Sequence, residues 1–227
     1  MKRREVMQKY SIHEIFYSIQ GEGTRVGVPT IFIRTFGCNL HCWYCDTDQS
    51  NIIPQQLTGK QIIDLVTSIS NNPNTSICIT GGEPLLTIDY DLLSLLSEKY
   101  HDISIETNGT IPLTYERLVG VTYTMDYKTD HILKSDEMKI RDENLTKLHS
   151  FDEVKIVTND PEELNTILEK ILKVGEYPII ISPIWDKEDM QTLSKKLVEV
   201  IKKYKTNRIK FQHQLHKHIW GNETKGV

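Results

Sequence analysis

Short runs rich in β-branched residues alternate along this sequence with longer amphipathic stretches, and this alternation favours an α/β fold built on a largely parallel sheet. The clearest helical stretch follows Pro161, where apolar residues repeat at the i, i+3, i+4, i+7 and i+8 spacing. Further helices are predicted from a capping box at Thr58 to about Ile69, and around the leucines at 92–96. The predicted strands lie at 30–35, 76–80, 103–107, 122–127, 153–158, 179–182 and 208–212.

The number of strand and helix units predicts the architecture. About six or seven parallel βα units fit into the 227 residues, whereas a complete barrel of eight units takes about 250 residues. We therefore expect a partial (β/α) barrel. No internal repeat, low-complexity tract or long linker interrupts residues 1–227, so the chain is predicted to form a single domain.

Charge and hydropathy exclude two classes of partner. The 27 Lys plus Arg and 31 Asp plus Glu give a net charge of −4, which is unfavourable for general nucleic-acid binding. No apolar run approaches the ~18 residues of a membrane-spanning helix, and the charged N-terminus MKRREVMQKY leads into no apolar signal region. We therefore expect a cytoplasmic protein that binds neither membrane nor nucleic acid.

Three of the four cysteines lie close together, as Cys38, Cys42 and Cys45 in the spacing C-x3-C-x2-C. Disulfides are not expected in a cytoplasmic chain, and clustered thiolates favour zinc or iron–sulfur. Three thiolates on a four-iron cluster leave one iron open for a ligand. The alternative is a zinc knuckle with His41 or Cys78 as the fourth ligand. Cys78 also lies in an apolar run, which predicts a small buried core residue.

Polar segments follow several predicted strands, at the ends where parallel α/β folds bind ligands. The cysteine loop, 36–48, follows the first strand, TGGEP (80–84) ends the second, and ETNGT (106–110) ends the third. DYK (126–128) and the pair at 158–159 end the next two strands. Each segment alone is typical of a turn. Together, beside a loop with three cysteines, they predict a binding site at one edge of the sheet.

The cysteine loop followed by a GGEP turn resembles the radical S-adenosylmethionine superfamily. That resemblance implies a radical SAM core fold and a 4Fe–4S cluster on Cys38, Cys42 and Cys45, with S-adenosylmethionine on the open iron. More narrowly, FYSIQGEGTRVGVPTIFIRTFGCNLHCWYCDTD (16–48), ITGGEP, ETNGT, MDYK and QLHKHIWG (214–221) are similar, in this order, to the 7-carboxy-7-deazaguanine synthase family. That family converts 6-carboxy-5,6,7,8-tetrahydropterin to 7-carboxy-7-deazaguanine, a queuosine precursor, with loss of ammonia, and uses S-adenosylmethionine and Mg²⁺.

The resemblance implies roles for individual residues. Substrate contacts are expected from Ile19, Gln20, Gly21, Arg34, Thr80, Gln214, His216 and the terminal Val227, with Glu22 as an extra contact. Cofactor contacts are expected from Gly82, Asp126, Tyr127 and Lys128, and a magnesium ligand from Thr47. No side chain is expected to be an acid or base of the usual catalytic kind, although Glu106 would face the space between cofactor and substrate.

The residue types leave alternatives open at several of these positions. Arg34 lies in the apolar run IFIRTF, so its guanidinium requires a buried anion, either a substrate carboxylate or a carboxylate of the protein. IQGEG suits the donor and acceptor edge of a pterin but is also typical of a polar turn. Asp46 and Asp48, beside Thr47, are either partners of a magnesium site or turn residues. HQLHKHIW (213–220) either reaches the substrate or is a strand end packed on the core.

The family also implies partners, and two rival functions remain. A reductant such as flavodoxin and a homodimer are expected, and the tail 212–227 is expected to cap the substrate. The segment TDHILKSDEMK departs from the family pattern, so no role is assigned between 129 and 142. One rival is an activating enzyme that makes a glycyl radical on a partner protein, which gives Arg34 no role. The other is a zinc-binding module without enzymatic activity.

Overall fold

One sheet of nine strands organises the part of the chain that the structure describes. The computed structural model describes residues 8–47, 49, 51–113, 117–185 and 189–221. The strands are β1 (Lys9–Ile19), β2 (Pro29–Thr35), β3 (Gln55–Thr58), β4 (Ser76–Gly81), β5 (Asp102–Thr107), β6 (Val121–Asp126), β7 (Glu153–Val157), β8 (Ile179–Ser182) and β9 (Ile209–Phe211). The helices are α1 (Gly59–Ile69), α2 (Tyr90–Ser97), α3 (Ser135–Leu145), α4 (Pro161–Ile171), α5 (Met190–Lys202) and α6 (Leu215–Trp220).

The sheet is an open, mostly parallel one. Its order is β3-β1-β2-β4-β5-β6-β7-β8-β9, and every neighbouring pair from β2 to β9 is parallel. Strand β1 forms an antiparallel hairpin with β2 and pairs antiparallel with β3 on its other side. The outer strands β3 and β9 are not paired with each other in the described residues. This arrangement confirms the predicted partial (β/α) barrel.

The predicted parallel strands correspond to β2 and β4–β9, with small differences at their ends. The sequence does not predict β1, whose ladder with β2 shifts register between Ile12 and Glu14 and so breaks the simple alternation. It also does not predict α3, because SDEMKIRDENL has almost no apolar stripe. The segment considered as a strand end near the C-terminus is instead the short helix α6.

The two faces of the sheet differ in chemistry. Alternate residues of the central strands are fully buried aliphatic side chains, such as Ile79 on β4 and Ile105 on β5, which belong to the hydrophobic core. The residues between them form a polar inner face. Register pairs Arg34 with Thr80, and Asp126 with Lys155, so these side chains stand in neighbouring rows on that face. Strand alternation alone therefore places the polar side chains on one face of the sheet, where they can bind a polar ligand.

The loop 20–28, between β1 and β2, crosses this polar inner face. Arg25 Nη2 donates to Asp102 Oδ1 at 2.6 Å, at the start of β5. The Thr24 backbone N–H donates to Glu153 Oε2 at 2.7 Å, at the start of β7. In a closed barrel, layers of side chains fill the interior, and here the loop occupies part of that space. It forms the floor of the cavity described below.

Glu83 joins three loops at the carboxyl ends of the strands. Its backbone N–H donates to the Gly37 carbonyl at 2.8 Å, in the cysteine loop. Its buried carboxylate accepts hydrogen bonds from Thr107 Oγ1 at 2.8 Å and from the Asn108 N–H at 2.6 Å. A Cβ at the preceding Gly82 would lie 2.0 Å from the Gly37 oxygen, so only glycine allows this close approach.

Replacing this carboxylate should destabilise the fold. Glu83→Ala removes the acceptor of two buried backbone donors and one hydroxyl, so we expect the free energy of unfolding to fall by about 2–4 kcal/mol, measured by denaturant titration. The exposed Glu199→Ala on α5, which loses a surface pair with Lys202, should change it by less than about 0.5 kcal/mol.

The same variant should show a characteristic pH dependence. Burial raises the pKa of Glu83 to about 7, and the hydrogen bonds from Asn108, Thr107 and Leu85 oppose this. A folded-state pKa above the unfolded value means that the stabilising contribution is complete below about pH 4.5 and is lost as the pH rises through about 7. The stability deficit of Glu83→Ala should therefore be larger at pH 5 than at pH 8. An equal deficit at both pH values would contradict the raised pKa.

Candidate active site

A cavity of about 680 Å³ opens above the polar inner face of the sheet. Its volume lies within the range of roughly 300–1,000 Å³ that small-molecule sites occupy. The predicted site residues that line it are Ile19, Gln20, Gly21, Glu22, Arg34, Cys38, Cys42, Cys45, Thr47, Thr80, Gly82, Glu106, Asp126, Lys128, Gln214 and His216. Val227 and Asp48 lie outside the described residues. The structure thus brings most of the predicted site into one space.

The cysteine loop forms one wall of this cavity. Cys38 and Cys45 are exposed and Cys42 is half-buried, so all three thiols are open to a ligand. Burial raises the pKa of Cys38 and Cys42. Among the described residues, no three Cys, His, Asp or Glu side chains are already gathered as a metal-binding group. The loop supplies three soft donors on one wall, which is the donor set of a 4Fe–4S cluster with an open iron.

Cys78 is separate from this loop. It is fully buried on β4, does not line the cavity, and lies 3.6 Å from Gln20 Nε2 beneath the floor. Burial raises its pKa well above the ordinary value of a thiol. This position agrees with the predicted core residue and does not support Cys78 as a fourth zinc ligand.

Two asparagines that the sequence analysis did not single out hold the cysteine loop. Asn39 Nδ2 donates to Thr110 Oγ1 at 2.8 Å, and Asn108 Nδ2 donates to Asn39 Oδ1 at 3.0 Å. Asn108 Nδ2 also lies 3.8 Å from the Cys38 sulfur. The ETNGT turn after β5 is therefore attached to the loop that carries the thiols.

Arg34 has a protein anion and still faces the cavity. Its Nε donates to Glu14 Oε1 at 2.8 Å, on the neighbouring strand β1, and its Nη1 donates to Thr47 Oγ1 at 3.3 Å. Its guanidinium carbon lies 5.5 Å from the ring centroid of Phe16. The protein carboxylate considered from the sequence is thus present. A guanidinium has five N–H donors, so donors remain for a ligand carboxylate.

Both carboxylate oxygens of Glu106 accept hydrogen bonds from other residues of the cavity wall. Oε1 accepts a hydrogen bond from Gln20 Nε2 at 2.9 Å, and Oε2 accepts one from Thr80 Oγ1 at 2.8 Å. One carboxylate therefore connects loop 20–28, β4 and β5. Its geometry suits a group that fixes the ligand-facing amide and hydroxyl rather than one that exchanges protons.

Lys155 is a charged residue on the inner face that the sequence analysis did not identify. It lies on β7, and its Nζ is 2.5 Å from Glu22 Oε2 and 3.6 Å from Asp126 Oδ2. Although burial disfavours the charge, Lys155 lowers the pKa of Glu22. For Asp126, burial is outweighed by Lys128 and Lys155, which lower its pKa. The only signal in the sequence was a lysine inside the apolar run EVKIV.

Of the residues expected to contact the cofactor, Gly82, Asp126 and Lys128 line the cavity. Lys128 Nζ pairs with Asp126 Oδ2 at 2.7 Å and lies 5.1 Å from the ring centroid of Tyr44. Tyr127 does not line the cavity. Its ring lies in the core, 4.1 Å from the ring-facing guanidinium carbon of Arg141, because Tyr127 directly follows Asp126, the last residue of β6, and consecutive residues of an extended chain point to opposite sides. The structure therefore does not support a side-chain contact of Tyr127 with a ligand in the cavity.

Arg141 also explains how the unusual segment 129–142 is attached. Its buried guanidinium donates to the Lys128 carbonyl oxygen at 2.6 Å and to Asp130 Oδ1 at 2.7 Å. Helix α3 thus supports the backbone of Lys128 from behind, although its sequence departs from the family pattern.

Several buried polar atoms on the cavity wall have no hydrogen-bond partner among the described residues. They are Asp126 Oδ1, His13 Nδ1 and Trp185 Nε1. Buried polar atoms are normally satisfied, so such atoms on a cavity wall mark positions where a ligand or water completes the bonding. His13 and Trp185 were not among the predicted site residues.

The described part of the C-terminal tail covers the floor loop and reaches the cysteine loop. The Leu215 N–H donates to the Gly21 carbonyl at 2.9 Å, and Gln214 Nε2 donates to Glu22 Oε1 at 2.5 Å. A Cβ at Gly21 would lie 2.2 Å from His216 Nδ1, so the close contact requires glycine.

Asp46 connects the cysteine loop to α6. Its Oδ2 lies 3.3 Å from Lys217 Nζ and 3.7 Å from His216 Nε2. Burial disfavours the charge of Asp46, but the contacts with His216 and Lys217 hold its pKa well below the usual range. Asp46 is therefore an ion-pair partner of α6 and not only a turn residue.

Comparisons with known proteins agree with this arrangement. The Radical SAM superfamily model matches residues 32–124, which include the three cysteines and the GGEP turn. None of the described helices is long and apolar enough to span a membrane. The crystal structure of QueE from Escherichia coli has the same fold, with a TM-score of 0.67 at 21% identity over 92% of this chain and 96% of that chain.

Curated relatives cover nearly the whole chain. The 7-carboxy-7-deazaguanine synthase of Clostridium acetobutylicum is 33% identical over 96% of this chain and 99% of its own length. The 7-carboxy-7-deazaguanine synthase of Methanospirillum hungatei is 35% identical over 92% of this chain and 84% of its own length. On the strength of this similarity and of the radical SAM match, the chain belongs to the 7-carboxy-7-deazaguanine synthase family.

Proposed function

We propose that this protein converts 6-carboxy-5,6,7,8-tetrahydropterin to 7-carboxy-7-deazaguanine with loss of ammonia, as a radical SAM enzyme of queuosine precursor synthesis. The observation that carries the proposal is one cavity in which the three-thiol loop faces Arg34, Gln20 and Thr80. The names of the relatives support the same reaction. A glycyl-radical activating enzyme would act on a protein, and that function would give the cavity-lining Arg34 and the covering tail no role.

The cofactor side of the site follows from the residues that the chain provides. In a radical SAM enzyme, the 4Fe–4S cluster supplies the electron that cleaves S-adenosylmethionine to the 5′-deoxyadenosyl radical. Here Cys38, Cys42 and Cys45 would hold the cluster. Gly82 gives a backbone without a side chain beside that loop, and Asp126 Oδ1 and the Lys128 ammonium offer an acceptor and a donor for the amino acid part of the cofactor.

The substrate side is built from fixed hydrogen-bonding groups. Arg34 would bind the substrate carboxylate by hydrogen bonds from the N–H groups of its guanidinium that Glu14 and Thr47 do not use. Gln20 and Thr80, both held by Glu106, would contact the pterin ring together with Glu22, Gln214 and His216. Catalysis then depends on positioning and on the exclusion of water, and no nucleophilic side chain is required.

The magnesium ion, the tail end and the partners are further parts of the proposal. Thr47 Oγ1 would be the protein ligand of Mg²⁺, because this ion keeps waters and takes other oxygens from bound substrate. Asp46 would orient the site through its contacts with α6, and the terminal Val227 would add its carboxylate. The enzyme would act in the cytoplasm as a homodimer, with a reductant such as flavodoxin as its electron donor.

The cysteine assignment predicts different results for two single substitutions. Cys42→Ala should lose the iron and the visible absorbance of the anaerobically reconstituted cluster, because one of three thiolate ligands is gone. Cys78→Ala should keep both, since Cys78 is buried apart from the loop. Iron and sulfide analysis with absorbance spectra measures this. Loss of the metal in Cys78→Ala, or a colourless protein that binds zinc alone, would support the zinc module instead.

The substrate assignment predicts the effect of removing the guanidinium. Arg34→Met should lower kcat/KM by about 10- to 100-fold, because a charge-assisted hydrogen bond contributes about 1.5–3 kcal/mol. The loss should appear mainly in KM for the pterin, with KM for S-adenosylmethionine unchanged. With a tetrahydropterin that lacks the 6-carboxylate, the wild type and the variant should bind equally. A loss of the same size for both pterins would assign Arg34 a purely structural role with Glu14.

The whole proposal is tested by one anaerobic turnover experiment. The reconstituted protein is mixed with reductant, Mg²⁺, S-adenosylmethionine and 6-carboxytetrahydropterin, and the products are identified by mass spectrometry. Formation of 7-carboxy-7-deazaguanine is the expected result. Formation of 5′-deoxyadenosine alone would support radical chemistry on another substrate, and the absence of both from an iron-loaded sample would contradict the proposal.

A further inference from the structure

Lys155 contacts two carboxylates that belong to opposite sides of the cavity. Its Nζ lies 2.5 Å from Glu22 Oε2, on the floor loop 20–28, and 3.6 Å from Asp126 Oδ2, at the end of β6. Only 11% of the Lys155 and Glu22 side chains and 18% of Asp126 are exposed, so solvent screens these pairs weakly. A single ammonium therefore bridges the loop and the strand.

The remaining contacts of the two carboxylates define the two sides. Glu22 Oε1 accepts a hydrogen bond from Gln214, and Glu22 lies two residues after Gln20, on the proposed substrate side. Asp126 Oδ2 also accepts from Lys128, on the proposed cofactor side. Asp126 Oδ1 is buried without a hydrogen-bond partner in the described residues and so has a free acceptor for a ligand. Lys155 is therefore a shared partner of both ligand-facing carboxylates.

The charges around Lys155 determine its protonation state. Four carboxylates and one further cation interact electrostatically with Lys155. The carboxylates come from the floor loop, the strands and the cysteine loop, and the cation is an ammonium: Glu22, Asp126, Glu106, Asp46 and Lys128. Burial disfavours the charge of Lys155, but Glu22 and Asp126 raise its pKa well above the ordinary value. An ammonium of this kind keeps its proton throughout the physiological pH range, so it is suited to fix positions and not to transfer protons.

We propose that Lys155 is a positioning residue that holds the substrate-side loop and the cofactor-side strand at one separation, so that radical formation is coupled to turnover of the pterin. The inference rests on the proposed function. Its physical basis is that a reactive radical and its target must be held in near-attack geometry, where a displacement of about 1 Å costs about 100-fold in rate. Lys155 itself lines the cavity, and its ammonium is paired with the two carboxylates, so removing the bridge should separate the two halves of the site while the side chains assigned to the ligands are retained.

The test compares three lysine variants. Lys155→Met removes the charge and keeps much of the side-chain volume, and Lys155→Arg keeps the charge. Lys210→Met is the matched control, because Lys155 pairs with Ile180 and Ile180 pairs with Lys210, which places this exposed lysine in the same row of the sheet. Two quantities are measured on the iron-loaded protein: the affinity for 6-carboxytetrahydropterin by calorimetry, and the amount of 5′-deoxyadenosine released per 7-carboxy-7-deazaguanine formed.

We expect Lys155→Met to raise the ratio of 5′-deoxyadenosine to product at least tenfold and to weaken pterin binding about tenfold. Lys155→Arg should restore much of the coupling, and Lys210→Met should behave as the wild type. An unchanged ratio in a Lys155→Met protein with normal cluster content would overturn the inference. So would an equal loss of melting temperature, binding and coupling in both Lys155 variants, because that result indicates a structural role alone.

A second variant keeps the inference testable where Lys155→Met does not fold. Glu22→Gln weakens the same bridge from the floor loop while keeping the shape of the side chain, and it should raise the same ratio. An unchanged ratio would again overturn the inference. Absence of product from the wild type would instead contradict the proposed function, and the inference with it, whatever the variants do.

Discussion

The charged side chains on the inner face of the sheet are shielded from bulk water and need partners of opposite charge or hydrogen-bonding partners. The position of the loop that covers this face depends on that requirement. Four charged side chains, on β2, β5, β6 and β7, line one space, where an unpaired charge would be costly: Arg34, Glu106, Asp126 and Lys155. The hairpin of β1 and loop 20–28 supplies most of their partners. Glu14 pairs with Arg34, Gln20 bonds Glu106, and Glu22 pairs with Lys155. The loop is therefore both the floor of the site and the neutralising layer of an open barrel.

The same contacts connect parts of the chain that are far apart in sequence. Glu22 meets Gln214, and Asp46 in the cysteine loop meets Lys217 on α6. Glu83 joins the GGEP turn to the cysteine loop and to the turn after β5. Several candidate ligand groups are thus held by a residue on another element, as Arg34, Thr80, Gln20 and Gln214 are. Chemistry with a radical requires such fixed positions, because a reactive species must meet only its intended target.

Much of the fold and part of the site could be predicted from local patterns. Strand alternation and helical spacing identified the parallel strands and the partial barrel, since both signals are local. Strand β1 was missed because its register shifts, and α3 because it has no apolar stripe. Tyr127 was assigned to the site by its motif, but it directly follows Asp126 at the end of β6, and its ring points to the opposite side, into the core. A motif identifies neighbours in sequence, and alternation decides which of them share a face.

The sequence by itself determined the three-thiol loop, the glycine-bearing turn after β4 and the polar strand ends, because each is a property of a few consecutive residues. Only the tertiary structure decided which charges meet. In the sequence, Lys155 is a lysine among the apolar residues of one strand. In the structure, strand register places it beside Asp126, and the floor loop brings Glu22 into contact with it. The pairing of ions depends on distances between elements more than 100 residues apart, as between Glu22 and Lys155, and packing sets those distances.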